Sequence, residues 1–332
     1  MRMKAAVYHG PRDIRVEQVE RPGPGEHDVL VRVRACGICG SDLHMYRLGM
    51  FEVLGRRIDE HRRIMGHELS GEIIEVGEKV SGFSVGDRIT GLGHGGFAEY
   101  VPVRVTERSP HILPESVTFE EGATLEPLAT SLHGVSLGKP AAGETVVVLG
   151  AGIIGLGCIQ AIRASVDCRI IAVDASERRL DMAKNIGADA AVNLTETDPV
   201  EAVIELTGGA RPVERFGVRG GNADLVIDCA GAPSSPDQGL LMLKQQYGRL
   251  VLVALFERPV DMDFNQVVRK HVAVYGSWTW TGDDYRRAIA LVESGKVQRG
   301  PLISHVLDLE DAPEAFAVQD RPDAAIKVML KP

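Results

Sequence analysis

The 332-residue sequence has no apolar run long enough to span a bilayer, and its opening MRMKAAVYHG carries two early cations without the apolar stretch of a secretory signal. Neither export nor membrane insertion is expected, so a cytoplasmic location is the default reading. Aromatic residues are scarce at 5%, too few for the stacking platforms that grip single-stranded nucleic acid. Positive charge is in deficit as well: 37 basic against 46 acidic side chains leave −9 at pH 7, which argues against nucleic acid or an anionic membrane as partner. Cysteine is sparse and odd in number (Cys36, Cys39, Cys158, Cys168 and Cys229), so a disulfide framework does not fit and a reducing compartment does. What is present is ordinary for a globular protein, 44% apolar and 25% charged residues, in a length suited to about two domains. Glycine, at 37 residues, is the one excess, and its clustering directs the reading.

From Met3 to about Val105, short alternating runs separated by turn residues (AAVY, VLVRVRACG, GEIIEVG, FAEYVPV) predict an antiparallel all-β domain. The texture changes near Val117. Residues 119–137 are apolar at helical spacing, and TVVVLG then reads as a buried strand. Beyond it strands and helices alternate: a helix over Ile153–Arg163, RIIAVD, a helix over Glu177–Ile186, ADAAVN, a helix near Pro199–Leu206, ADLVIDCAG, a helix over Gln238–Lys244, RLVLVAL and HVAVYG. Such alternation predicts an α/β fold with a doubly wound parallel sheet. The tail from Ser277, with a helix in DDYRRAIALVESG and strands ISHVLD and IKVML, exceeds what that sheet needs and is expected to return to the first domain. The predicted divisions are 1–139, 140–276 and 277–332. Two stretches stand apart: Gly208–Asp224, a long loop bearing glycine and arginine, and the cation-rich Met45–Arg63.

Gly150-Ala151-Gly152-Ile153-Ile154-Gly155 follows the strand at Thr145–Leu149 and opens a helix, the context that gives a GxGxxG its meaning. The first glycine makes the turn, the second lets backbone approach a pyrophosphate, and the third lets helix pack on strand. Asp174 ends the next strand, where a carboxylate grips a ribose diol and repels a 2′-phosphate; this favours NAD, with Arg178 and Arg179 just beyond it keeping NADP open.

A second constellation lies in the first half: Cys36-Gly-Ile-Cys39-Gly-Ser41-Asp42-Leu-His44, then Gly66-His67-Glu68, then Glu126-Pro127. A thiolate, an imidazole and a carboxylate suit Zn²⁺, and three protein ligands with an open fourth position mark a catalytic site. No second CxxC pair exists, so a Cys₄ zinc ribbon is excluded.

Together, ACGICGSDLH, GHELSGEIIEVGEKVSGFSVGDRI, GGFAEYV, EPLATSLHGV, VVVLGAGIIGLGCIQ and AVDASERRLDMAKNIGADAAV resemble a zinc-dependent medium-chain alcohol or polyol dehydrogenase of the sorbitol and threonine dehydrogenase branch. The likeness spans nearly the whole chain. It implies a GroES-like β-rich catalytic domain, a Rossmann NAD-binding domain, and an oxidoreductase that moves a hydride between a secondary alcohol or polyol, or its ketone, and NAD. By position it implies Cys39 and His67 as zinc ligands with Glu68 or Glu126 as the third. Ser41 would relay the alcohol proton, with His44 at the far end of the relay, and Asp42 would orient the zinc histidine. Gly150, Gly152, Ile153, Ile154, Gly155, Asp174 and Arg179 would bind the cofactor, and Lys327 would approach its pyrophosphate. The four-cysteine lobe usual in the family has no counterpart between Gly86-Asp87-Arg88 and Gly95-Gly96-Phe97, which implies one catalytic zinc per subunit. HVAVYG lies where relatives pair subunits, implying a homodimer or homotetramer. Two rival readings are a zinc-free NADPH-dependent quinone or enone reductase of the same superfamily and a non-catalytic NAD-sensing protein.

Overall fold

The computed structural model describes residues 1–49, 63–209 and 220–332, so most of Met45–Arg63 and of Gly208–Asp224 lies outside the described residues. Contacts divide the chain into two units, Met1–Pro127 with Thr281–Pro332, and Leu128–Trp280. The tail thus counts with the first unit. The borders fall at 127/128 and 280/281 where the sequence suggested 139/140 and 276/277. Helix Leu125–Gly138 accounts for the first difference: its Ser131 hydroxyl donates to Ile154 O (2.9 Å), and Gly138 packs against the side chain of Leu225.

In the first unit one sheet runs in the order Ile303–Asp308, Lys327–Lys331, Asp28–Gly37, Glu68–Val76, Arg88–Leu92, His111–Ile112, with Tyr100–Arg104 also pairing with Asp28–Gly37. Its pairings are antiparallel except that between Ile303–Asp308 and Lys327–Lys331. The period of two is plain in Asp28–Gly37: Val31, Val33 and Ala35 are buried while Arg32 and Arg34 turn outward. Those valines join Leu69, Ile73, Ile89, Phe97 and Phe316 in a core whose burial is the main force holding this unit together. Among the described residues, one element departs from the expected all-β texture: helix Gly40–Leu48 interrupts the strands. Its nine residues bury Asp42, Leu43, Met45 and Tyr46, too short an apolar pattern to stand out beside the flanking alternation.

The second unit is a parallel sheet in the order Ala190–Asn193, Arg169–Asp174, Thr145–Leu149, Leu225–Asp228, Arg249–Leu252, Ala273–Gly276. In chain order this is the 3-2-1-4-5-6 arrangement, whose order reverses beside Thr145–Leu149. Val146, Val147 and Val148 are fully buried, as strands covered on both faces must be. The helix expected over Gln238–Lys244 lies earlier, at Ser235–Met242, because Pro236 sits in its first turn, where a missing N–H breaks no helical bond. Helix Phe264–Lys270 was not anticipated; its seven residues start at Asp263, whose carboxylate accepts from Asn265 N (2.9 Å).

Candidate active site

Strand Asp28–Gly37 leads through Ile38 to Cys39, which caps helix Gly40–Leu48 in an extended conformation. The strand pairs with Glu68–Val76 so that Gly37 stands opposite Glu68. That register brings the Cys39 turn beside the Gly66-His67 turn. Asp42, only 4% exposed, fastens the two: its Oδ2 accepts from Cys39 N (2.9 Å), and its Oδ1 accepts from Gly66 N (3.4 Å) and stands 3.7 Å from His67 Nδ1. Burial pushes the Asp42 carboxyl up from its usual range, with the facing imidazole and the Cys39 N–H pulling the other way.

One ligand atom each from Cys39, His67 and Glu68 lies within 4.8 Å of the others, and no other such group of three forms among the described residues. The charge balance at His67 shows what this cluster demands. Burial alone would strip the ring's proton, but the Cys39 sulfur and the Asp42 and Glu126 carboxylates outweigh it and hold the imidazole well above its ordinary pKa. The pocket thus draws a positive charge into itself. Glu126, half-buried in the first turn of Leu125–Gly138, acts on His67 by its charge but stands outside the group of three.

Glu68 is 1% exposed, and its Oε2 meets the Nζ of Lys327, itself fully buried and donating also to Ile38 O (2.7 Å). A Cβ at position 37 would stand 2.5 Å from Glu68 Oε2 and 2.7 Å from Lys327 Cε, so Gly37 leaves the space the pair occupies. Arg299, also fully buried, donates from Nε to Thr124 Oγ1 (3.1 Å); burial lowers its pKa to about 10 against the pull of Glu68. Glu68 Oε1 accepts no hydrogen bond from the described residues. An orphaned buried carboxyl oxygen beside a cysteine sulfur and an imidazole fits a borderline-soft cation such as Zn²⁺.

Lys327 therefore differs from expectation. It was read as approaching a pyrophosphate, but its strand pairs with the one bearing Gly37, Met329 opposite Gly37, and this turns the ammonium inward onto Glu68. Ser41 and His44, three residues apart on one face of Gly40–Leu48, are both half-buried. Sequence reasoning missed Arg299, because nothing in VQRGPL distinguishes a buried arginine from a solvated one. The His94 ring centroid lies 6.3 Å from that of His67.

The second unit carries the glycine turn and Asp174. Gly150 has φ +86°, and a Cβ there would press to 2.8 Å on Ala230 N; a Cβ at Gly155 would meet Gly150 O at 1.9 Å. Both positions are closed to any larger residue. Gly152 is different: the nearest atom to its absent Cβ is Arg179 Nη1 at 3.9 Å, which leaves open space at the N-terminus of the 11-residue helix Ile153–Arg163, begun by the half-buried Ile153 and Ile154. Asp174, 7% exposed, is fixed by Ala151 N (2.6 Å) and Ser176 N (2.9 Å). A helix N-terminus with an open approach and a fixed carboxylate beside it fit a dinucleotide.

Residues 25–114 match the family model described as alcohol dehydrogenase GroES-like domain, and 154–294 match that described as zinc-binding dehydrogenase. The chain is 33% identical to a sorbitol dehydrogenase of Halalkalibacterium halodurans, across 99% of each chain. It resembles the crystal structure of 2R,3R-butanediol dehydrogenase from Bacillus subtilis with a TM-score of 0.82 and 30% identity, covering 99% of both. A zinc-binding dehydrogenase of Sinorhizobium meliloti, solved bound to NADP, matches with a TM-score of 0.84 and 30% identity over 100% of each chain.

Proposed function

This chain belongs to the zinc-type medium-chain alcohol and polyol dehydrogenases, and from that premise we propose how its residues divide the work. One Zn²⁺ per subunit is held by Cys39, His67 and Glu68. The observation that carries this is the group of three donors within 4.8 Å of one another. Glu68 would serve as the carboxylate ligand while its side chain also meets Lys327. Glu126 lies outside that group and contributes its field. When bound, the zinc supplies Lewis-acid polarisation of a carbinol or carbonyl oxygen, and the nicotinamide supplies the hydride acceptor or donor.

The chain's own part is placement and proton movement. Asp42 holds the His67 ring in one orientation through Nδ1. The Ser41 hydroxyl takes the proton leaving the substrate hydroxyl and passes its own to His44, which returns it to solvent. Gly150, Gly152 and Gly155 seat the pyrophosphate against the first turn at Ile153 and Ile154, while Asp174 receives the adenosine ribose diol, flanked by Arg179. Asp174 favours NAD. The chain works in the cytoplasm as a homodimer, or a tetramer of dimers, on a small alcohol or ketone. A zinc-free reductase or an NAD sensor would need none of the Cys39 cluster.

The test is reduction of NAD and of NADP over a panel of secondary alcohols, sugar alcohols, amino alcohols and cyclitols. Wild type should reduce NAD, and Asp174→Ala should raise KM for NAD about tenfold while sparing NADP. An unchanged cofactor preference would remove Asp174 from the assignment.

A further inference from the structure

Cys158 and Cys229 meet inside the second unit, their sulfurs 3.9 Å apart. Cys158 is fully buried in the second turn of Ile153–Arg163, the helix that the glycine turn opens. Cys229 follows strand Leu225–Asp228 and is half-buried, with exposed Ala230 just beyond it. That strand pairs with Thr145–Leu149 so that Asp228 stands opposite Leu149, which sets Cys229 beside Gly150. Cys229 N donates to Leu149 O (2.8 Å), and a Cβ at Gly150 would stand 2.8 Å from Ala230 N and Cα. Asp228 Oδ1 accepts from Ala230 N (2.9 Å) and Gly231 N (3.3 Å), which fastens the turn after Cys229 as well. The thiol pair therefore adjoins the glycine turn through short, fixed contacts.

Resting on the dinucleotide reading of that turn, we propose that Cys158 and Cys229 are a modification site: a hydroperoxide converts the pair to a disulfide, and the disulfide lowers the affinity of the glycine turn for NAD. Cys229, the more accessible of the two, reacts first. Its thiolate attacks one oxygen of hydrogen peroxide, the O–O bond breaks, and a sulfenic acid forms while the other oxygen leaves as water. The Cys158 thiolate then attacks the Cys229 sulfur; the S–S bond forms, the S–O bond breaks, and hydroxide leaves with a proton as the second water. In total the two thiols give two electrons and two protons to the peroxide. The Cys158 sulfur beside it, and then burial, push the Cys229 thiol well up, so the attacking thiolate is a minor form at neutral pH and the pair answers sustained oxidant rather than traces. Closing the sulfurs from 3.9 Å to bonding distance takes about 2 Å. Side-chain rotation supplies part of it, and the rest draws the Cys229 backbone toward the helix and, through Leu149 O and Ala230, disturbs Gly150.

The experiment treats the purified, zinc-loaded enzyme with hydrogen peroxide, removes the oxidant, and maps disulfides by mass spectrometry of non-reduced peptides. NAD affinity is measured by calorimetry before and after, which reads the turn without turnover, a readout that oxidation of Cys39 would also abolish. Treated wild type should yield a peptide linking Cys158 to Cys229, with a dissociation constant for NAD raised about tenfold and restored by dithiothreitol. Cys158→Ala and Cys229→Ser, each confirmed folded by circular dichroism, should bind NAD within about twofold of untreated wild type, both before and after peroxide. Absence of the linked peptide from treated wild type, a linked peptide with unchanged NAD affinity, or an equal loss of affinity in treated Cys158→Ala would overturn the proposal. Wild type that binds no NAD before any oxidant is added would defeat the dinucleotide reading itself, and the measurement before treatment tells the two failures apart.

Discussion

Besides Asp42, two further carboxylates stand near the His67 imidazole, and they differ in what else holds them. Glu68 is buried against Lys327, whereas Glu126 is half-buried and reaches His67 through its field. The resemblance placed both near a metal without separating them, because which acid joins Cys39 and His67 depends on strand register, and Gly37 opposite Glu68 is a tertiary fact. Cys39, His67 and Asp42, which the resemblance set together through ACGICGSDLH and GHE, do stand side by side. Lys327 was legible as a residue with a role but not for its target, since a lysine bound for a carboxylate and one bound for a phosphate look alike in AIKVML. Breaking a buried pair by removing one partner leaves a bare charge and costs about 3–5 kcal/mol. Lys327→Met should therefore lower the unfolding free energy by about that amount, and Glu68→Gln with Lys327→Met should lose less than the sum of the single changes. KM for NAD should stay within about twofold in the lysine variant if it remains folded. Chemical denaturation and steady-state kinetics read the two; a large rise in KM for NAD with unchanged stability would restore the pyrophosphate role.

Among elements, those of the parallel sheet were the most legible, since buried strands in strict alternation with helices admit few arrangements. Thr145–Leu149, the glycine turn and Ile153–Arg163 stand where the pattern placed them. The short helices Gly40–Leu48 and Phe264–Lys270 were not seen, because nine and seven residues carry too few turns for a period to show. Among the described residues, edge strand Ala273–Gly276 has a neighbour on one side only, with Tyr275 40% and the nearby Trp278 69% exposed. Helix Phe264–Lys270, which leads into that strand, exposes Phe264 (69%) and Val268 (79%). An edge bearing apolar side chains of this size invites a second copy of itself. Val268→Asp with Trp278→Lys should shift the chain from dimer to monomer in sedimentation equilibrium. A monomeric wild type would leave this edge without a partner copy, and a double variant that still dimerises would move the interface elsewhere.

The whole molecule divides its chemistry between its two units: Met1–Pro127 with Thr281–Pro332 carries the thiolate, imidazole and carboxylate, and Leu128–Trp280 carries the glycine turn and Asp174. Both folds could be read from the sequence, the second from alternation alone and the first through its resemblance. The return of the tail was inferred from strand count rather than seen. Between Arg88–Leu92 and Tyr100–Arg104 the chain needs only seven residues, and no four-cysteine lobe intervenes, in keeping with a single metal per subunit. The most direct test is therefore zinc stoichiometry by plasma mass spectrometry on purified wild type and Cys39→Ser, with circular dichroism as the control for folding. Wild type should hold about one zinc per subunit, and a folded Cys39→Ser should hold less than about a tenth of that and lose turnover with it. A folded, zinc-depleted Cys39→Ser that still oxidised alcohols at the wild-type rate would contradict the zinc site as the seat of the reaction.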